Sequence, residues 1–103
     1  MFSRVTLLEI DTVRVTLDEA VELFRAIVLP RLRELDGFEG VLVLATPEGK
    51  GMLMSLWASE KAADESASFA SAELERYVTM FRAPPGREHY EVVVAELPGV
   101  LVG

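Results

Sequence analysis

The stretch Gly51-Met52-Leu53-Met54-Ser55-Leu56-Trp57-Ala58-Ser59-Glu60 constrains the fold more than any other. Side chains along a strand alternate between two faces. Here Met52, Met54 and Leu56 fall on one face, and Leu53, Ser55 and Trp57 on the other. A strand that is largely apolar on both faces must be covered on both. Directly after Trp57, the chain's single tryptophan, Ser59 offers a helix N-cap and Glu60 a first-turn acid. A buried strand feeding at once into a helix marks the midpoint of a small α+β domain.

The residues before it supply the first half. Positions 2–11 are apolar and β-branched without a breaker, which predicts a strand. Thr16-Leu17-Asp18-Glu19 has the capping-box pattern, so a helix starts there. Leu17, Val21, Phe24, Val28, Leu32 and Leu35 recur at spacings of four and three and form its buried stripe. Pro30 interrupts this stripe and predicts a kink near Ala26 to Pro30. Gly37-Phe38-Glu39-Gly40 stops the helix. Val41 to Ala45 reads as the second strand, and Thr46 to Gly51 as the turn of a hairpin leading into the third.

After the midpoint, a second helix runs from Glu60. Small residues fill its first half, Leu74, Tyr77, Val78 and Phe81 make a stripe in its second, and a break is expected near Ala70 to Ala72. Ala83-Pro84-Pro85-Gly86 ends it. Arg87 to Leu97 reads as the last strand, followed by an apolar tail, Val100 to Val102. The order is β-α-β-β-α-β over residues 1–103, a single domain with no linker or internal repeat.

Two helices cover one face of a four-stranded sheet. The other face is also apolar, and no further element remains to cover it. The simplest cover is the same face of a second copy, which predicts a homodimer joined through its sheets. The alternative is a monomer partly covered by its own tail.

Composition excludes several functions. Net charge is −7 with no basic stripe, which excludes nucleic acid as a partner and opposes binding to an anionic membrane. No apolar run approaches the roughly 20 residues that span a bilayer, and the N-terminal residues lead into a strand. A cytoplasmic protein is the expectation. Without cysteine there is no disulfide, thiolate metal site or cysteine nucleophile. One histidine and no carboxylate cluster leave no evident metal site. Asparagine and glutamine are absent, and arginine outnumbers lysine eight to two. A thermophilic source and a GC-rich genome account for this equally well.

The β-α-β-β-α-β order, the Gly37-Phe38-Glu39-Gly40 link, Trp57-Ala58-Ser59-Glu60 at the strand-to-helix step and Tyr90-Glu91-Val92 in the last strand resemble the antibiotic biosynthesis monooxygenase domain. The resemblance spans nearly the whole chain. It implies a ferredoxin-like α+β fold with a four-stranded antiparallel sheet, paired into a dimeric α+β barrel with helices outside. It also implies one of several roles. One is a small dimeric protein that binds an apolar or aromatic molecule, or is stress-associated, without chemistry of its own. Another is a cofactor-independent monooxygenase acting on polycyclic phenols. The haem-degrading branch uses an asparagine on the first strand and a histidine on the second helix. This chain has no asparagine and only His89, near the start of the fourth strand.

Trp57 is a candidate for stacking on a flat ligand, with Phe24, Phe69, Tyr77 and Phe81 as neighbours; all five serve equally as core. His89, whose reference pKa lies near 6.5, is the candidate general base, or else an exposed strand start. Met52 and Met54 suit an interface. No nucleophile pairs with a base in a recognisable motif, and no cofactor is implied.

Overall fold

A computed structural model describes residues 1–76 and 86–99, with the backbone alone at 74, 75 and 86–89. Strands β1 (Phe2–Glu9), β2 (Phe38–Ala45), β3 (Lys50–Trp57) and β4 (Gly86–Glu91) form one antiparallel sheet in the order β2-β3-β1-β4. Helical segments α1 (Leu17–Leu23), α2 (Leu29–Arg33), α3 (Glu60–Glu65) and α4 (Ala67–Arg76) fill the two crossovers. This is the ferredoxin-like arrangement that the order of elements implies.

Both expected caps form. The Thr16 hydroxyl accepts from the Glu19 N–H at 3.1 Å while the Glu19 carboxylate accepts from the Thr16 N–H. The Ser59 hydroxyl accepts from the Ala62 N–H. The hairpin turn closes on Gly49, whose φ of +94° suits a glycine, with the Gly49 N–H donating to the Thr46 carbonyl at 3.0 Å.

Near Pro30, where a kink is expected, the helix leaves regular α geometry ahead of the proline. A π turn over Phe24–Val28 precedes it, with the Leu29 N–H donating to the Phe24 carbonyl. Pro30 has no N–H for the carbonyl four residues back, so the wider turn takes up the mismatch. Three boundaries differ from expectation, each for a tertiary reason. Strand β2 starts at Phe38, not Val41, with a bulge between Phe38 and Gly40. Phe38 is drawn into the ladder opposite Trp57, where the rings meet edge to face at 5.6 Å.

The break in the second helical stretch falls at Ser66, not at Ala70 to Ala72. A break frees carbonyl groups that need donors. The guanidinium of Arg4 and the Ser66 hydroxyl both donate to the Ala63 carbonyl, so the break sits where β1 supplies a cation. Finally, β4 ends at Glu91, not Leu97. As an edge strand it pairs only with β1, and that ladder stops at Phe2↔Glu91, with one last bond from the Val92 N–H to the Met1 carbonyl. Val93 and Val94 project into solvent at 83% and 84% exposure. The stripe from Leu74 to Phe81, the Pro84-Pro85 stop and the tail at Val100 to Val102 lie outside the described residues or side chains.

The core is concentrated at one end of the sheet. Leu32, Trp57 and Ala63 are its buried centre, with Phe2, Phe38 and Ala62 packed around them. Gly37 makes the close approach there, since a Cβ on it would lie 2.6 Å from the Ala62 Cβ.

The sheet's outer face carries Val5 and Leu7 of β1, Leu42 and Leu44 of β2, Met52 and Met54 of β3 and Tyr90 of β4, as the registers require. Leu7, Leu44 and Tyr90 are about half exposed. This is the second apolar face read from the sequence, and no described segment covers it.

Candidate functional site

Alternation along β1 places Phe2, Arg4, Thr6, Leu8 and Ile10 toward the helices. Phe2 joins the core, whereas the other four line a cavity of about 410 Å³. Leu53 and Ser55 of β3 extend its floor, and Val21, Phe24, Val28 and Leu29 form its roof. Phe69, Ala70 and Glu73 of α4 close one side. Phe24 and Val28, helix positions expected to fill a core, pack against its buried centre and also line the cavity, and both are only half-buried. The cavity reaches the β2 edge, where Val43, on the helix side, is 47% exposed. Its size falls within the roughly 300–1,000 Å³ typical of small-molecule sites, and so does its mix of apolar wall and few polar groups.

Four buried polar residues line the cavity, Arg4, Thr6, Ser55 and Glu73, together with the exposed Arg25. Arg4 also donates to the Ser66 hydroxyl and lies 5.9 Å from the Trp57 ring centroid, within cation–π range. Glu73 Oε1 accepts from Arg31 Nη1 at 2.6 Å, and Arg76 Nη1 stands 3.5 Å away. The second oxygen, Glu73 Oε2, is buried with no partner among the described residues. No group of three or more histidine or carboxylate side chains among the described residues is placed to hold a metal ion.

The sequence candidates separate here. Phe24 and Phe69 line the cavity. Trp57 does not. It is fully buried, and its indole N–H donates to the Ser55 hydroxyl at 2.9 Å. Trp57 is a core residue whose polar atom is already satisfied. It still supports the site, because Ser55 and Arg4 lie between it and the cavity. His89 is in β4, in register with Arg4. Tyr77 and Phe81 lie outside the described residues.

Sequence reasoning missed Arg4 and Glu73. Both had a signal. Arg4 occupies the inward phase of an alternation shared with Phe2, Leu8 and Ile10, and Glu73 follows Phe69 by four, on the same helix face.

A four-stranded antiparallel sheet, helices on one face and an apolar cavity between the layers define the class: a ferredoxin-like α+β domain with a pocket open at the β2 edge. More particularly, the chain has the antibiotic biosynthesis monooxygenase-domain fold.

That statement rests on solved structures. No protein-family model and no curated protein sequence matches the chain. It is similar to a monooxygenase from Streptomyces coelicolor, solved in complex with nanaomycin D. The identity is 26%, over 95% of this chain and 92% of that one, with a TM-score of 0.69. A Nitrosomonas europaea protein of unknown function matches at 21% identity, over 96% and 95% of the two chains, with a TM-score of 0.74. A haem degrader from Mycobacterium tuberculosis, with two haems in its active site, matches at 17% identity, over 93% and 99%, with a TM-score of 0.63. The last two show the fold alone.

Proposed function

We propose that this protein binds a small apolar or aromatic molecule in the cavity between sheet and helices. The cavity itself carries the reading, because a domain this small gains stability from a filled core and this one leaves an apolar cavity, open at the β2 edge, beside its packed end. A bound ligand stabilises the folded state by about 2.7 kcal/mol at a hundredfold excess over Kd. Thermal unfolding with a panel of two- and three-ring aromatics tests this. At least one should raise Tm, and the cavity-filling substitution Ala70→Phe should remove the effect. A panel that leaves Tm unchanged rejects the reading.

A second reading is a cofactor-independent monooxygenase acting on polycyclic phenols. It is favoured by the likeness to the Streptomyces coelicolor monooxygenase solved in complex with nanaomycin D. Removal of a substrate proton would leave a carbanion that reacts with dioxygen itself. His89 is the candidate base and Phe24 and Phe69 flank the ring system; Trp57 acts from behind, through Ser55 and Arg4. Oxygen uptake with anthrone, compared with a His89→Ala variant, tests it. Uptake no greater than a heat-killed blank excludes it. Haem degradation is not proposed, since the chain lacks asparagine and its histidine stands in β4.

The working unit we propose is a homodimer. The outer sheet face is apolar from β2 through β3 to β1, and the apolar segment after Val92, exposed at Val93, Val94 and Leu97, extends beyond it. A second copy supplies an equally apolar face and a strand partner together. No helix among the described residues is long and apolar enough to cross a membrane.

A further inference from the structure

Glu73 is out of place on chemical grounds. A carboxylate is seldom buried without partners for both oxygens, because an unpaired buried acceptor costs about 1–3 kcal/mol or more. The Glu73 side chain is 9% exposed. Its Oε1 is engaged by Arg31 from α2 and approached by Arg76 one turn along α4. These contacts hold the carboxylate in one orientation and leave Oε2 buried, unpartnered among the described residues, on a side chain that lines the cavity. Phe69 and Ala70, its neighbours on α4 in the cavity wall, carry no side-chain donor, and none of the cavity's donors, Arg4, Thr6, Arg25 or Ser55, bonds to Oε2.

From this arrangement we infer that Glu73 is the specificity-determining residue of the cavity, accepting a hydrogen bond through Oε2 from an O–H or N–H group on an otherwise apolar ligand. The inference rests on the proposal that the cavity binds small molecules. It adds which ones: a ligand needs a hydrogen-bond donor at one end. Ethers of the same shape leave Oε2 unpaired, and ligands ending in a carboxylate bring like charge against it. Discrimination of this kind is steep, because the ligand without the donor incurs the full cost of the orphaned acceptor. Arg31 is half exposed and acts as a positioning residue, since it touches Oε1 and not the ligand.

The test uses three probes of nearly equal shape: naphthalene, 1-naphthol and 1-methoxynaphthalene. The Trp57 indole N–H gives a single reporter resonance in ¹⁵N-labelled protein, two residues from the cavity floor and bonded to Ser55. Titrations followed at this resonance should show 1-naphthol binding about tenfold more tightly than its methyl ether, as expected for a hydrogen bond to a charged acceptor. Glu73→Leu should erase the preference while still binding naphthalene. Glu73→Gln keeps an acceptor and adds a donor, so it should narrow the preference to about threefold; this variant decides the matter if Glu73→Leu does not fold. Equal binding of naphthol and ether by the unaltered protein, or a preference unchanged in either variant, overturns the inference and leaves the binding proposal standing. Failure of all three probes to bind overturns both.

Discussion

The Trp57 indole N–H donates to the hydroxyl of Ser55, two residues earlier on the same strand face, at 2.9 Å. One residue thus belongs to the packed end of the sheet and the other to the cavity floor. The bond joins the two regions through a single strand.

Replacing Trp57 should therefore act mainly on stability. Trp57→Ala empties the centre of the core and should cost about 3–5 kcal/mol. Trp57→Phe keeps much of the contact with Phe38 and loses the hydrogen bond, and it should cost less than half as much. Urea unfolding measures both. A Trp57→Phe protein of unchanged stability but lost ligand binding would instead make the tryptophan a contact residue.

Arg4 joins β1 to the break between α3 and α4. Arg4→Met retains most of the side-chain volume and removes the donors to Ala63 and Ser66. We expect a loss of about 2–4 kcal/mol, as for charge-assisted buried bonds. Amide exchange should accelerate around residues 63–67 ahead of the sheet. Uniform acceleration along the chain would contradict the local role.

Gly37 has two constraints, and they are separable. Its φ is +80°, and a Cβ there meets the Ala62 Cβ at 2.6 Å. Gly37→Ala should cost about 1–3 kcal/mol. Adding Ala62→Gly removes the clash but not the backbone strain, and it introduces a helix glycine of its own, costing about 1 kcal/mol. A double-mutant cycle should therefore show a favourable coupling between the two sites without full recovery.

The proposed dimer is tested on the outer sheet face. Met54 sits on β3, one of the two central strands, and lies opposite both Val5 and Leu42. Met54→Glu places a charge at the centre of that face. Sedimentation equilibrium at micromolar concentration should show a dimer for the unaltered protein and a monomer for the variant. A monomer in both cases would end the proposal.

Much of the fold was legible because local chemistry states it directly. Thr16 with Glu19 and Ser59 with Ala62 cap helices wherever they occur, and Gly49 turns a hairpin. What escaped was set by residues distant in sequence. The helix breaks at Ser66 because Arg4, on the first strand, reaches the carbonyl that the break exposes. Strand β2 starts early because Phe38 meets Trp57. The candidate site was half legible for the same reason. Phe24 and Phe69 are apolar at helical spacing, but that spacing reads the same whether it fills a core or surrounds a cavity.

By itself, the sequence determined the order of elements, the two apolar faces of the sheet and the absence of cysteine, asparagine and glutamine. These follow from periodicity and composition, which are properties of the chain alone. Only the tertiary structure decided that Trp57 is packed inward and satisfied, that a cavity remains between helices and sheet, and that Glu73 holds one oxygen toward Arg31 with the other unpartnered among the described residues. Those outcomes depend on distances between segments tens of residues apart. Packing sets such distances, and a pattern of polar and apolar residues does not encode them.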